Sequence, residues 1–510
     1  MTIRQESDSL RGRPARRSGL HVRGGMSYFA DLAHQYIAGE WKSGTGSWDI
    51  IDFNPYNGDK LAAITIATVD EVDEAYRAAE QAQRAWAATN PFTRRAVFER
   101  ALTLIDERQE EITEAIIAEL GGTRLKAAFE LHLAKEFLRE AILLAVRPEG
   151  RILPAATDGK ENRVYRQPVG VVSVISPFNF PFLLSFKSVA PALALGNAVV
   201  LKPHQNTPIV GGSLVAKILE DAGLPPGVLN VVITDIAEIG DAFIEHPVPK
   251  VISFTGSDKV GRHVGTVAAS HFKRSVLELG GNSALIVLED ADLDYAVDAA
   301  VFSRFVHQGQ VCMSANRVLV HRAVLDEFTE KFTAKVRSLK VGDPADPETQ
   351  IGPLINPAQA EAVTSLVERT IEAGATALVR GGSEGTLVSP TVLTDVPEGS
   401  DALCQEIFGP VVVIVPVEDE DEAVRIANDT PYGLSGAVHT ADVERGVRVA
   451  QRIETGMIHV NDSTVHDEPI VPFGGEKHSG LGRLNGDAMI ESFTTTKWIS
   501  IQHGRSVFPF

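Results

Sequence analysis

The sequence predicts an α/β protein built on parallel sheets, and three features of its patterning lead there. From Gly170 onward, short apolar runs at 171–175, 198–201, 228–233 and 251–254 are each followed by a helical stretch of about ten to eighteen residues. Strands that alternate with helices read as a parallel sheet with crossover connections. A second alternating series follows, with runs at 284–288, 318–320 and 411–415 separated by helices such as 325–339. Ahead of both, from Val72 to Leu144, apolar residues recur at three and four with few Gly or Pro, which predicts consecutive amphipathic helices acting as scaffold. The segments 163–167 and 495–502 read as strands outside both series. A parallel sheet offers its binding loops at the carboxyl ends of its strands, which places candidate chemistry at 177–181, 202–205 and 255–257.

A chain of 510 residues, 44% apolar and 23% charged, is long enough to bury several cores, about three at the usual ~150 residues per domain. No apolar run approaches the ~18 to 20 residues of a membrane helix. The net charge of −19 opposes both a nucleic-acid backbone and an anionic bilayer, so neither is expected as a partner. Two cysteines, Cys312 and Cys404, exclude a disulfide framework and a four-thiolate zinc site, and no metal is expected. A reducing, cytoplasmic setting fits that usage. Residues 1–25 carry six arginines against two acids with no apolar stretch behind them. They read as a disordered extension rather than a secretory signal, with Met26-Ser27-Tyr28-Phe29 opening the ordered chain.

Four local clusters carry chemistry. Gly309-Gln310-Val311-Cys312 sets a cysteine between a helix-like stretch, 295–307, and an apolar run. An inert buried thiol is the plainer reading, but the glycine permits close backbone approach and a nearby amide could stabilise a thiolate or an oxyanion. His307 raises a Cys–His hydrolase pairing, which requires the helix to continue through Gly309, and a glycine argues against that. Val276-Leu277-Glu278-Leu279-Gly280-Gly281-Asn282 holds one acid among apolar neighbours, the setting that raises a carboxyl pKa toward that of a general base; the alternative is an edge glutamate facing water. In Ser176-Pro177-Phe178-Asn179-Phe180-Pro181 two prolines fix a turn, and the Asn179 amide can serve an oxyanion or an Asx turn. Phe254-Thr255-Gly256-Ser257, running on to Gly261, reads as strand, glycine turn and helix start, suited to a phosphate although it is not GxGxxG.

Pro-Phe-Asn-Phe-Pro at 177–181, Lys202-Pro203, Phe-Thr-Gly-Ser at 254–257, Glu-Leu-Gly-Gly-Asn at 278–282, Gly-Gln-Val-Cys at 309–312 and Glu-Ile-Phe-Gly-Pro at 406–410 stand in one order. That order and spacing resemble the aldehyde dehydrogenase superfamily, over essentially all of the chain from Tyr36 to Gln502. The resemblance implies a Rossmann-type dinucleotide-binding domain (26–149 and 169–279), an α/β catalytic domain (280–480), and a β extension for oligomerisation (150–168 and 481–510). A homodimer or homotetramer follows from such an extension. The resemblance makes Cys312 the nucleophile, Glu278 the general base, and Asn179 with the Cys312 N–H the oxyanion hole. It makes NAD or NADP the cofactor, held by Ser176, Phe178, Lys202, Gln205, Gly256, Ser257, Gly280, Glu406 and Phe408, with Lys202 at the adenosine ribose and Glu406 at the nicotinamide ribose.

Gln205 departs from the pattern of NAD-preferring members, which carry an acid three residues after the lysine. Glutamine would not repel a 2′-phosphate, so both dinucleotides stay open. Phe180, Leu184 and Lys187 are spaced to share one face of the helix after Asn179 and are expected to line the substrate funnel. The segments 307–310, 456–462 and 496–502 are similar to the benzaldehyde and vanillin dehydrogenase branch, which implies an aromatic aldehyde substrate. A basic Lys187 is also how a succinate-semialdehyde enzyme would meet a distal carboxylate, and that or an aliphatic aldehyde is the alternative. A CoA-acylating relative would lack the base that Glu278 supplies, and a cysteine hydrolase would need no nicotinamide.

Overall fold

The structure is a computed structural model that describes residues 25–510; residues 1–24 of the expected extension lie outside the described residues. The scaffold region forms four helices, Val69–Ala88, Pro91–Glu107, Gln109–Leu120 and Arg124–Leu144. Their starts follow from local chemistry: Thr68 and Glu71 form a reciprocal capping box, Asn90 accepts from Phe92 N–H ahead of Pro91, and Thr123 accepts from Lys126 N–H. No helix among the described residues is long and apolar enough to cross a membrane.

The first alternating series forms the centre of an eight-stranded sheet. Its strands Val171–Ile175, Ala198–Lys202, Leu229–Val231 and Val251–Thr255 fall at or within a few residues of the four apolar runs, and Arg274–Glu278 adds a fifth. All five are parallel, and their spatial order is Leu229, Ala198, Val171, Val251, Arg274. The chain therefore lays two strands to one side of Val171–Ile175 and then crosses to the other, so the carboxyl ends of the Val171 and Val251 strands diverge at a topological switch point. Ser176 and Thr255 sit at that divergence. The second series forms a seven-stranded sheet with Ser283–Val287, Ala315–His321 and Val411–Val417 adjacent and parallel at its centre.

Thr494–Gln502 pairs antiparallel with Lys160–Pro168, which in turn pairs with Arg151–Leu153, giving a three-stranded sheet apart from the two cores. The expected extension from 481 is narrower than the sequence suggested. Gly480–Leu481 closes the edge of the first sheet, and the helix Gly486–Phe493 buries Met489, Ile490 and Phe493 in the first core.

A buried ion pair fixes the helix that carries the predicted substrate residues. Pro181–Ala194 has no side-chain cap of its own, and Glu130 supplies one from the facing helix by accepting from Phe182 N–H (2.9 Å) and Leu183 N–H (3.2 Å). The other Glu130 oxygen takes the Lys126 ammonium, which lies 4.4 Å from the Phe180 ring centroid. Neither side chain reaches water. Glu130→Gln keeps the acceptor and strands the buried ammonium, so it should cost about 3 kcal/mol. Thermal and urea unfolding midpoints should fall, and adding Lys126→Met should recover much of the loss; unchanged midpoints in the single variant would contradict the role assigned to the pair.

Candidate active site

A cavity of about 690 Å³ opens at the switch point. Ser176, Phe178, Asn179, Lys202, Gln205, Gly256, Ser257, Gly280, Glu406 and Phe408 all line it, as do Cys312 and Glu278. A small chamber of about 40 Å³ adjoins it, sharing Asn179, Leu184, Glu278 and Cys312 and adding Phe180 and Lys187. Through Phe129, Leu133 and Val465 the chamber meets a vestibule of about 540 Å³. Residues as far apart in sequence as Phe129 and Leu484 are thus gathered where two openings meet at Cys312.

The turn that delivers Cys312 is unusual in its backbone. The helix Leu293–Phe305 ends there, and His307, Gln308 and Gly309 follow with φ of 51°, 58° and 74°. A left-handed conformation at a non-glycine residue costs about 1–2 kcal/mol, so this segment must be held. Gln308 Nε2 donates to the carbonyls of Pro353 (2.8 Å) and Gly121 (3.2 Å), and Gln310 Oε1 accepts from Ile355 N–H (3.0 Å). At Gly309 any side chain would strike Gly409 O, since a Cβ would lie 2.4 Å from it. Because the helix stops at Phe305, His307 is not brought to the cysteine. It is buried edge-on against Phe180 (ring centroids 5.4 Å), and burial with the nearby Lys126 charge holds its pKa well below the usual histidine range. The Cys–His pairing raised by sequence spacing does not form.

Asn179 Nδ2 donates one hydrogen to the Gln310 carbonyl at 2.9 Å, which orients the amide and leaves its second N–H for the chamber. The Cys312 N–H has no acceptor among the described residues. Two donors are thus available beside the sulfur. Burial pushes the Cys312 thiol up to about 12, with the Glu406 and Glu278 charges adding to the effect and Lys187 opposing it. Glu278 ends the strand Arg274–Glu278, opposite Thr255, and neither carboxylate oxygen has a hydrogen-bond partner. Burial raises its pKa to about 8, against the lowering fields of Lys187 and Arg483. The site therefore holds a thiol that must lose a proton and a basic carboxylate able to take one.

The larger cavity has the chemistry of a dinucleotide site. Ser257 accepts from Val260 N–H and caps the helix Asp258–Ser270, whose first amides and dipole favour a phosphate. Apolar Ile236, Ile239, Val260 and Val264 form a slot for a flat ring, and Lys202 supplies a cation. Glu406 accepts from Gly281 N–H at 3.0 Å, and its other oxygen passes so close to Gly280 that a Cβ there would lie 2.5 Å away. Phe408 meets Phe178 edge-on at 5.7 Å. The residues present fit a nicotinamide dinucleotide.

Comparisons with known proteins agree with that geometry. The aldehyde dehydrogenase family profile matches residues 41–499. The chain belongs to that family. Among family members, a benzaldehyde dehydrogenase of Bacillus subtilis is 60% identical, covering 95% of this chain and 100% of its own. A vanillin dehydrogenase of Corynebacterium glutamicum is 48% identical over 92% and 98% of the two chains. Among solved family structures, a salicylaldehyde dehydrogenase from Pseudomonas putida complexed with salicylaldehyde superposes with a TM-score of 0.90 at 36% identity, covering 94% and 99%. A NAD-dependent benzaldehyde dehydrogenase from Corynebacterium glutamicum gives 0.86 at 45% identity, covering 93% and 97%.

One expectation needs correction. Lys187 reaches the chamber wall, but not as a free cation: its ammonium pairs with Asp467 at 2.6 Å and lies 3.4 Å from the Phe473 ring centroid. Asp467 also accepts from Asn485 Nδ2 at 2.8 Å. Sequence reasoning missed Asp467, Phe473 and Phe129, whose sequence neighbourhoods carry no motif, and it missed Asp235 in the larger cavity, although Asp235 lies just beyond the carboxyl end of a strand as the known motifs do. A Glu278 pKa near 8 has a direct consequence: below it the carboxyl is protonated and cannot act as base. The kcat of the family reaction should therefore rise with pH along a limb centred near 8. A profile flat between about pH 6 and 9 would contradict this assignment.

Proposed function

We propose that the protein oxidises aromatic aldehydes of the benzaldehyde and vanillin type to carboxylates with NAD, and that NADP serves less well. The observation that carries the reading is the meeting of Cys312, Glu278 and Asn179 in a chamber walled by Phe129, Phe180, Leu184, Val465 and Phe473. The 60% identity to a benzaldehyde dehydrogenase supports the same substrate class.

Cys312 Sγ, its proton passed to solvent, attacks the aldehyde carbon to form a thiohemiacetal oxyanion that is met by Asn179 Nδ2–H and Cys312 N–H. A nicotinamide dinucleotide held by the larger cavity would supply the hydride acceptor for this carbon. Glu278 then takes a proton from water, the resulting hydroxide attacks the Cys312 thioester, and the thiolate departs with the carboxylate product released. Lys202 and Glu406 would bind the two riboses and the Ser257 helix the pyrophosphate, with Ser176, Phe178, Gly256, Gly280 and Phe408 shaping the slot. Gln205, exposed at the rim, leaves the 2′ position without a carboxylate from its own loop.

The domain division belongs to this proposal as well: a dinucleotide-binding unit around the first sheet, a catalytic unit around the second, and oligomerisation through Thr494–Gln502 and its partners. The exposed Trp498 and Ile499 support a homodimer or homotetramer, and the free Cys312 and Cys404 suit a cytoplasmic setting.

The semialdehyde alternative needs an unpaired cation for a distal carboxylate. The Lys187–Asp467 pair speaks against it, since a substrate carboxylate would be buried beside a charge already neutralised. A kcat/KM panel tests the reading: benzaldehyde and vanillin should exceed succinate semialdehyde by at least about 100-fold, as a buried unpaired carboxylate costs several kcal/mol. Succinate semialdehyde matching or exceeding benzaldehyde would overturn it.

A further inference from the structure

The Lys202 loop carries no acid, yet the cavity is not without one. Asp235 stands four residues beyond the end of the Leu229–Val231 strand, on the neighbour of the Lys202 strand in the sheet, and it lines the same cavity as Lys202, His204 and Gln205. Its one side-chain hydrogen bond among the described residues is accepted from Ala237 N–H at 2.7 Å, through Oδ1. Oδ2 is left for another donor. The side chain is half-buried, facing a cavity open enough for a ligand.

The local charge balance adds to the geometry. Lys202 is the cation of this end of the cavity, and the Asp235 field reaches it and supports its charge. His204 adds no positive charge at neutral pH, because burial and the Lys202 ammonium push its pKa down to about 4. Gln205 is neutral. One ammonium faces one carboxylate, which leaves no net positive charge for a dianionic phosphate and one strong acceptor for a hydroxyl.

We propose that Asp235 is the residue that selects an unphosphorylated ribose here, accepting the 2′-hydroxyl of NAD and repelling the 2′-phosphate of NADP, the role that Gln205 cannot fill. This rests on the reading of the cavity as the dinucleotide site and deepens it. It also accounts for a preference for NAD in a chain whose Lys202 loop lacks an acid.

Asp235→Asn keeps an acceptor for Ala237 N–H and removes only the charge. The NADP-to-NAD ratio of kcat/KM should rise at least about tenfold, since a like-charge contact of this kind is relieved. In calorimetry, adenosine 2′,5′-bisphosphate should bind the variant more tightly than the wild type, whereas 5′-AMP should not gain. Asp235→Ser, which also retains a cap, should shift both readings the same way. A ratio and a bisphosphate affinity within about twofold of wild type in both variants would overturn the proposal, as would loss of folding in both, which would make Asp235 a cap alone. Failure of the wild-type protein to bind 5′-AMP or NAD would instead overturn the reading of the cavity itself.

Discussion

Burial of the Glu278 carboxylate away from bulk water is the condition on which the rest of the site depends. A carboxylate with no hydrogen-bond partner is costly to bury, and the cost appears as a pKa raised to about 8. In water Glu278 would be a weak base; in the chamber it is basic enough to act as a general base toward water. The burial is moderated by the Lys187–Asp467 pair, whose ammonium lowers the Glu278 pKa while its carboxylate raises it. Lys187 thus contributes through its field on the base, and the aromatic faces of Phe473 and Phe137 substitute for the water that its ammonium has lost.

The architecture supplies this junction by bringing loops of the two sheets to one cavity. The first sheet ends its strands at the switch point and contributes Asn179 and Glu278; the second, through the turn before Ala315–His321, contributes Cys312. Arg304 holds that turn to the loop bearing Glu406. Fully buried, it donates to the carbonyls of Ile407 and Gly409 on one side and to Ser314 and Asn316 on the other. A single guanidinium therefore ties the segment that follows the nucleophile to the loop bearing Glu406.

The parts of this arrangement that were legible in the sequence are those set by short-range patterning. Apolar runs located the parallel strands to within a few residues, because a buried strand must be apolar on both faces, and the loops after them contained Asn179, Lys202 and Gly256. Gly309 correctly argued that the helix before Cys312 stops, although the left-handed His307 and Gln308 gave no signal, since ordinary residues are held there by distant carbonyls at Gly121 and Pro353. Helical spacing brought Phe180, Leu184 and Lys187 to one face but said nothing of what that face meets. Asp467 lies 280 residues from Lys187, and no local pattern announces a partner so far away. The tail was read too broadly for a similar reason: Gly486–Phe493 looks like part of a terminal appendage until its apolar face is seen in the first core.

A covalent intermediate at Cys312 that Glu278 is needed to release is the central step of this chemistry. Mass spectrometry of the Glu278→Gln variant, mixed with benzaldehyde and NAD and quenched in acid, measures this directly. A benzoyl group should be found as a thioester on the peptide containing Cys312, accumulating toward one per chain because the base that activates water is gone. Benzoate formed at the wild-type rate with Cys312 unmodified would contradict the assignment of both residues.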